Sequence, residues 1–170
     1  LVLQSVLKSV IETVQNLAGL LVPLKVSLLG LLKELPLALL LEKETGVKAE
    51  RARVAAVFLN RLRKGMKLQS DPTVIYGITH GRFLLGRPLS RADLNAPTSF
   101  NTYVIDGLPP TPIANPGRAS IEAALNPEAS EYIFFVAKSL NPQDGHNFAV
   151  TLDEHNRNVA AYRALERAAE

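Results

Sequence analysis

The chain has no cysteine, which excludes disulfides, thiolate zinc sites and a thiolate nucleophile while leaving the redox compartment open. It also lacks a long unbroken hydrophobic run. The leucine-rich stretch 17–41 is interrupted by Pro23, Lys25, Lys33, Glu34 and Pro36, short of the about 18 to 20 apolar residues that a membrane span needs. Neither sign of charge dominates: 19 Lys and Arg face 16 Asp and Glu, and the net charge is +3. The basic residues are scattered or sit near helix ends, so a polyanion-binding face is not indicated and nucleic acid is not an expected partner. Repeats and low-complexity tracts are absent too. The 170 residues, 47% of them hydrophobic, suffice for one ordinary domain with a packed core.

The chain starts at Leu1 rather than at a methionine and reads as a fragment. Residues 1–36 are far more apolar than the rest, and their spacing predicts a helix over about 2–21 and a short one over about 24–34. No basic segment followed by a small-residue cleavage site is present, so this is not a signal peptide as it stands, and any export signal lies outside the fragment.

From residue 37 the punctuation is richer. Pro36 suits the first turn of a helix that runs to about Thr45 and stops at Gly46. On it Leu37, Leu40, Leu41 and Glu44 share one face. Glu44 therefore points where the leucines point, and a carboxyl beside a leucine-rich turn is desolvated, which raises its pKa toward the range of a general acid. Glu42 lies roughly 200° around the helix from Glu44, so the two cannot act as a pair, and one of them is expected to be solvated. The alternative for Glu44 is an ordinary solvated acid at a helix end.

A scaffold helix is predicted over about 49–64, with Val54, Val57, Phe58 and Leu62 inward, Arg61, Arg63 and Lys64 favouring the dipole of its last turn, and Gly65 closing it. Thr73–Gly77 and Thr102–Ile105 read as strands. The proline-rich segment 108–113 should run extended, offering a polymer-binding ledge of backbone groups. Asn115 and Pro116 should start a helix through Leu125. Residues 132–137 and 146–150 form a predicted hairpin, and Thr151 with Glu154 a capping box for a final helix to about Ala168. Helices mixed with antiparallel strands give an α+β fold class.

Several long motifs now fall in register. Glu42-Lys43-Glu44-Thr45, Val54-Ala55-Ala56-Val57-Phe58-Leu59-Asn60-Arg61-Leu62, the run Gly65–Gly77 containing Gln69-Ser70-Asp71-Pro72-Thr73, and Asn101-Thr102-Tyr103 closely resemble the YceG-like endolytic murein transglycosylases. Gly107-Leu108-Pro109-Pro110, Pro112–Gly117 and Glu154-His155-Asn156 extend the match across about 37–163. The organisation expected is thus an apolar helical segment over 1–36, not family-like in sequence, and a catalytic domain over 37–170.

The resemblance implies cleavage of the MurNAc–GlcNAc bond within peptidoglycan strands to leave 1,6-anhydro-MurNAc ends, with Glu44 as the catalytic acid, no metal and no cofactor. It also implies peptidoglycan strands and peptidoglycan synthases as partners, and a place in the cell envelope on the outer face of the bacterial inner membrane. Membrane attachment would run through a region absent from this fragment, as is the LysM-like subdomain of full-length members.

Gln69, Asp71, Thr73, Asn101, Tyr103 and Asn115 carry the amide, hydroxyl, carboxylate and aromatic groups that recognise acetamido sugars. Each has a structural alternative open to it: Asp71 as a turn residue, Asn115 as a helix cap, Tyr103 as core. His146 and His155 are expected to be structural hydrogen-bond partners, and their spacing does not suggest a metal site. The chain departs from the family pattern at Leu39, Phe100 and Ala149, each of which replaces a hydroxyl. Such a loss costs about 1 to 3 kcal/mol where a buried partner is left unpaired. Those departures keep a second reading in play, a catalytically silent peptidoglycan-binding or scaffold domain.

Overall fold

The computed structural model describes residues 28–169, and side chains from Pro36 onward. The helix expected over about 2–21 lies outside the described residues. The chain divides into two units, Leu1–Lys33 and Glu34–Glu170, and all of the side-chain description below concerns the second.

The first described helix, α1 (Leu28–Glu44), runs straight through Pro36 instead of starting there. Proline removes one helical hydrogen bond, but the leucine run that follows is buried end to end. Leu37 and Leu40 are 0% exposed and Ala38, Leu39 and Leu41 at most 1%. Burial of large aliphatic side chains is worth about 1.5 to 3 kcal/mol apiece, which outweighs one lost bond. After a 3₁₀ turn (Lys48–Glu50) comes α2 (Arg51–Arg63), which sends Val54, Ala55, Val57 and Phe58 into the same core. This is the scaffold helix that the pattern predicts.

The largest difference from the sequence expectation comes next. Thr73–Gly77 is not a strand but the middle of helix α3 (Asp71–Thr79). Its β-branched residues favour a strand locally, yet Ser70 holds an extended N-cap conformation and Pro72 sits in the first turn, where its fixed φ suits a helix start. Thr73, Val74 and Gly77 are buried, and that spacing is helical. A Cβ on Gly77 would lie 2.5 Å from Thr98 Oγ1 and 3.5 Å from Phe100 Cβ. Gly77→Ala is therefore expected to destabilise the fold by about 1 to 2 kcal/mol, despite the better helix propensity of alanine. Urea unfolding checks this.

Thr102–Ile105 is also not a strand. Asn101 is 0% exposed and winds this segment into turns: its carbonyl accepts from the Val104 and Ile105 amides, and its side-chain oxygen from the Tyr103 amide at 2.9 Å. The segment 108–113 is irregular, with Pro109 and Ile113 buried. The short α4 (Arg91–Leu94) carries a Ser90–Asp93 capping box, and α5 (Arg118–Leu125) starts from Gly117 rather than from Asn115.

The antiparallel hairpin of β1 (Phe134–Ala137) and β2 (His146–Ala149) pairs Phe134 with Ala149 and Ala137 with His146. It is tied to α2 by Asn60, whose amide donates to the Ser130 and Tyr132 carbonyls at 2.8 and 3.0 Å. The last helix, α6 (Leu152–Ala169), has half of the expected capping box. Thr151 Oγ1 accepts from the Glu154 amide at 3.2 Å, while the Glu154 carboxylate turns to the Val150 amide instead. Helices around one two-stranded antiparallel sheet make the protein α+β. Among the described residues no helix is long and apolar enough to cross a membrane.

Candidate active site

The two acids at the end of α1 part company. Glu42 accepts from the Ser120 hydroxyl at 2.6 Å and the Gly117 amide at 2.9 Å, with Arg51 3.9 Å away. It anchors the N-terminus of α5, where the helix dipole favours a negative charge. The Ser120 and Gly117 hydrogen bonds hold its pKa below the usual value. Glu42, its side chain 29% exposed, is the more solvated of the two acids, as expected, although hydrogen bonds hold it in place.

Glu44 opens into a cleft of about 530 Å³ that is also lined by Phe58, Arg61, Leu68, Gln69, Asp71, Tyr103, Phe135, Val136, His155, Val159 and Arg163. Burial of its carboxyl raises the pKa to about 7; the Ser70 hydroxyl, which donates to Glu44 Oε1, opposes the rise, the charge of Asp71 adds to it, and that of Arg61 subtracts. A carboxyl balanced near neutrality can both give up a proton and take one back.

Ser70 is held by its own backbone. Its amide donates to Thr102 Oγ1 at 2.9 Å, and its carbonyl accepts from Thr73 Oγ1 at 2.6 Å. Removing its hydroxyl takes a hydrogen bond from the ionised form of Glu44. Ser70→Ala is therefore expected to lower stability by about 1.5 kcal/mol at pH 8 and by less at pH 5, where Glu44 is already protonated. Urea titrations at the two pH values check it.

The residues singled out in the sequence separate into three groups. Gln69, Asp71 and Tyr103 line the cleft with Glu44. The Tyr103 hydroxyl donates to Asp71 Oδ1 at 2.6 Å, and burial together with that carboxylate keeps the phenol protonated far above its ordinary range. Thr73 and Asn101 do not reach the cleft. Both are fully buried, Thr73 between the Ser70 carbonyl and Thr102, and Asn101 with its amide on the Leu94 and Ala96 carbonyls at 3.0 and 2.8 Å. They hold the cleft wall in shape. Asn115 is exposed and outside the cleft.

Two cleft residues, and Ser70 behind Glu44, are not legible as such in the sequence. Arg61 reads in sequence as a surface charge favouring the dipole of α2. It is in fact 8% exposed. Its Nε donates to the Ile133 carbonyl at 2.6 Å and its Nη1 to the Leu68 carbonyl at 2.8 Å, with Gln69 Oε1 3.4 Å away. The guanidinium lies over the Phe134 ring at 5.3 Å. It thereby fixes the turn at Gln69, whose φ of 54° is in the left-handed region that non-glycine residues rarely occupy. The one hint was that position 61 follows Val54, Val57 and Phe58 around the buried stripe of α2.

The second residue is Ser70 itself. His155 is the third: it stacks on Phe134 with ring centroids 4.9 Å apart, and burial, then the charge of Arg61, lowers its pKa. Its Nδ1 is buried without a partner, as is Thr98 Oγ1. These atoms lie near two of the positions where a hydroxyl is replaced. Phe134 is the register partner of Ala149, and Thr98 precedes Phe100 by two residues. His146, in contrast, is tied to Glu50, Nδ1 to Oε2, at 2.9 Å. Among the described residues no three His, Asp or Glu groups converge in a way that could hold a metal ion.

Comparison with known proteins gives the family and the fold. The model of the YceG-like family matches residues 3–161. A Bacillus subtilis protein named endolytic murein transglycosylase is 44% identical over 130 residues, which is 76% of this chain and 34% of the relative. A Streptococcus pneumoniae protein of the same name is 34% identical over 75% of this chain and 23% of its own length. A crystal structure of a YceG-like protein from Listeria monocytogenes superposes with a TM-score of 0.64 at 42% identity, covering 74% of this chain and 38% of that one. The chain thus spans about a third or less of the length of the curated relatives that it matches.

Proposed function

The chain belongs to the YceG-like family, and from that premise we propose that it is the catalytic region of an endolytic lytic transglycosylase, cutting MurNAc–GlcNAc bonds within peptidoglycan strands. The observation that carries the reading is Glu44: a buried carboxyl with its pKa raised to about 7, held by Ser70 at a cleft of about 530 Å³. Ordinary glycosidases need two carboxyl groups because water or the enzyme must supply the nucleophile. A muramyl residue carries its own, the 6-hydroxyl, and an intramolecular attack needs no second reactant.

Protonated Glu44 gives its proton to the bridging oxygen as the bond from C1 of MurNAc breaks, and GlcNAc leaves with a free 4-hydroxyl. The 6-oxygen closes on C1, its proton passes to the Glu44 carboxylate, and the acid is regenerated. No water is consumed and no metal or cofactor is involved. The muramyl acetamido carbonyl can shield C1 between the two bond changes. Gln69, Asp71 and Tyr103, which line the same cleft, hold the sugar, while Thr73 and Asn101 act through the backbone that they brace. Asn115, exposed outside the cleft, meets only distal parts of the strand. The proposed location is the cell envelope, on the outer face of the inner membrane, and the proposed partners are peptidoglycan synthases; the name of the relatives, endolytic murein transglycosylase, supports the first.

A second reading is favoured by one feature, Asp71 in the same cleft with its charge felt at Glu44. In a conventional muramidase that carboxylate would serve the attack, and the product ends would be reducing. The silent-binding alternative rests on Leu39, Phe100 and Ala149. Digestion of uncrosslinked strands followed by mass spectrometry of the new ends separates all three. Anhydro ends support the transglycosylase, reducing ends the muramidase, and intact strands the silent domain.

A further inference from the structure

A second hollow, of about 650 Å³, opens on the other side of α3. Two pairs of consecutive residues separate it from the cleft: Glu44 and Asp71 line the cleft, while Lys43 and Pro72 line the hollow. These adjacent residues form the ridge between the two. The floor and one wall of the hollow are apolar and poorly covered, with Ile75 37%, Phe83 58% and Leu84 94% exposed, beside Tyr76. Its rim carries two cations, Lys43 and Arg82, neither of which has a carboxylate partner among the described residues.

The loop that presents Phe83 and Leu84 is built to a fixed shape. His80 ends α3 in the left-handed region and Gly81 follows at φ 70°. The Arg82 amide bonds back to the Thr79 carbonyl at 3.0 Å, and Tyr76 packs on Phe100 at 4.9 Å behind it. Exposed large side chains held in this way mark a binding surface rather than a fraying loop.

We infer that this hollow binds the peptide branch of the muramyl residue whose glycosidic bond lies at Glu44, taking its free carboxylates on Lys43 and Arg82 and its methyl groups on Ile75, Phe83 and Leu84. The inference rests on the proposed substrate. Its own support is the charge complementarity and the shared ridge: a sugar in the cleft directs a branch over Lys43 and Pro72 into the hollow. The protein therefore distinguishes peptide-bearing strands from stripped ones.

Amide shifts of the ¹⁵N-labelled chain, titrated with the free peptide L-Ala-γ-D-Glu-L-Lys-D-Ala, test this without any turnover. Shifts confined to Lys43 and residues 72–84, weakened at least tenfold in Arg82→Glu and unchanged in Glu44→Gln, are expected. No saturable shift there at millimolar peptide, shifts in the Glu44 cleft instead, or equal binding by Arg82→Glu overturns the inference. The otherwise unchanged spectrum of Arg82→Glu shows that the variant is folded, and Phe83→Ala, which removes apolar wall without touching charge, provides a second variant expected to weaken binding.

A kinetic arm compares peptide-bearing strands with amidase-stripped ones. Arg82→Glu is expected to lower kcat/KM about tenfold on the former alone, and an equal effect on both contradicts a peptide site. Peptide bound in the hollow by a chain that cleaves neither strand would sink the enzymatic reading and leave the hollow standing. Cleavage without binding in the hollow would do the reverse.

Discussion

Glu44→Gln is expected to lower strand cleavage by about 10² to 10⁴-fold, the usual contribution of a general acid, while making the protein more stable. The two effects have one cause. Burial places the folded-state pKa of Glu44 at about 7, above the ordinary 4.5, so folding favours the neutral carboxyl. Stability is then complete below about pH 4.5 and is lost as the pH rises through 7, where the carboxylate must be kept in a site that suits the acid. Glutamine has the same shape and no charge to bury. At pH 8 the variant should be more stable by up to about 3 kcal/mol, and its stability should no longer fall between pH 5 and 7. In the wild type, kcat/KM should fall as the pH rises through about 7, because the acid must start protonated. Chemical denaturation across pH, paired with a pH–rate profile, tests both. A variant that loses activity and stability together would show that Glu44 is structural.

Arg61→Ala is expected to be the most damaging single change to the site's architecture. It removes the donors from the Ile133 and Leu68 carbonyls and the cation from the Phe134 face. Buried acceptors left without partners cost about 1 to 3 kcal/mol each, so a loss of about 3 kcal/mol or more is expected, or roughly 6 to 12 °C in Tm for a chain of this length. Arg61→Lys should recover part of it, since an ammonium keeps the charge but cannot span both carbonyls as the planar guanidinium does. The charge has its own readout. Arg61 lowers the pKa of Glu44, so in Arg61→Ala the falling limb of the pH–rate profile should move to higher pH, and in Arg61→Lys it should stay near the wild-type position. A purely structural arginine would lower activity without moving the limb.

What could be read from the sequence follows from the range of the forces involved. The face shared by Leu37, Leu40, Leu41 and Glu44 is a property of helical geometry, and it brought out Glu44 and its raised pKa before any fold was known. The hairpin at 134–149 and the helix over 51–63 are set by strong local patterns. Thr73–Gly77 reads as a strand because its β-branched residues speak for one locally, against the start signal of Ser70 and Pro72 and the helical spacing of its buried face. Arg61 and Ser70 owe their roles to partners far along the chain, Ile133 for the first and Glu44 and Thr102 for the second, whereas Asn101 serves the carbonyls of α4 and the irregular loop just before it, which has no periodic pattern to read. Only its place on the buried stripe of α2 distinguishes Arg61 locally from a solvated arginine.

The most direct test of the account is the titration of the Glu44 carboxyl itself, followed by its ¹³Cδ shift in selectively labelled protein. A midpoint near 7 that disappears in Glu44→Gln is the expected result. A midpoint near the ordinary 4.5 would mean that the carboxyl is solvated and ionised at neutral pH, and a single general acid at this position would be contradicted.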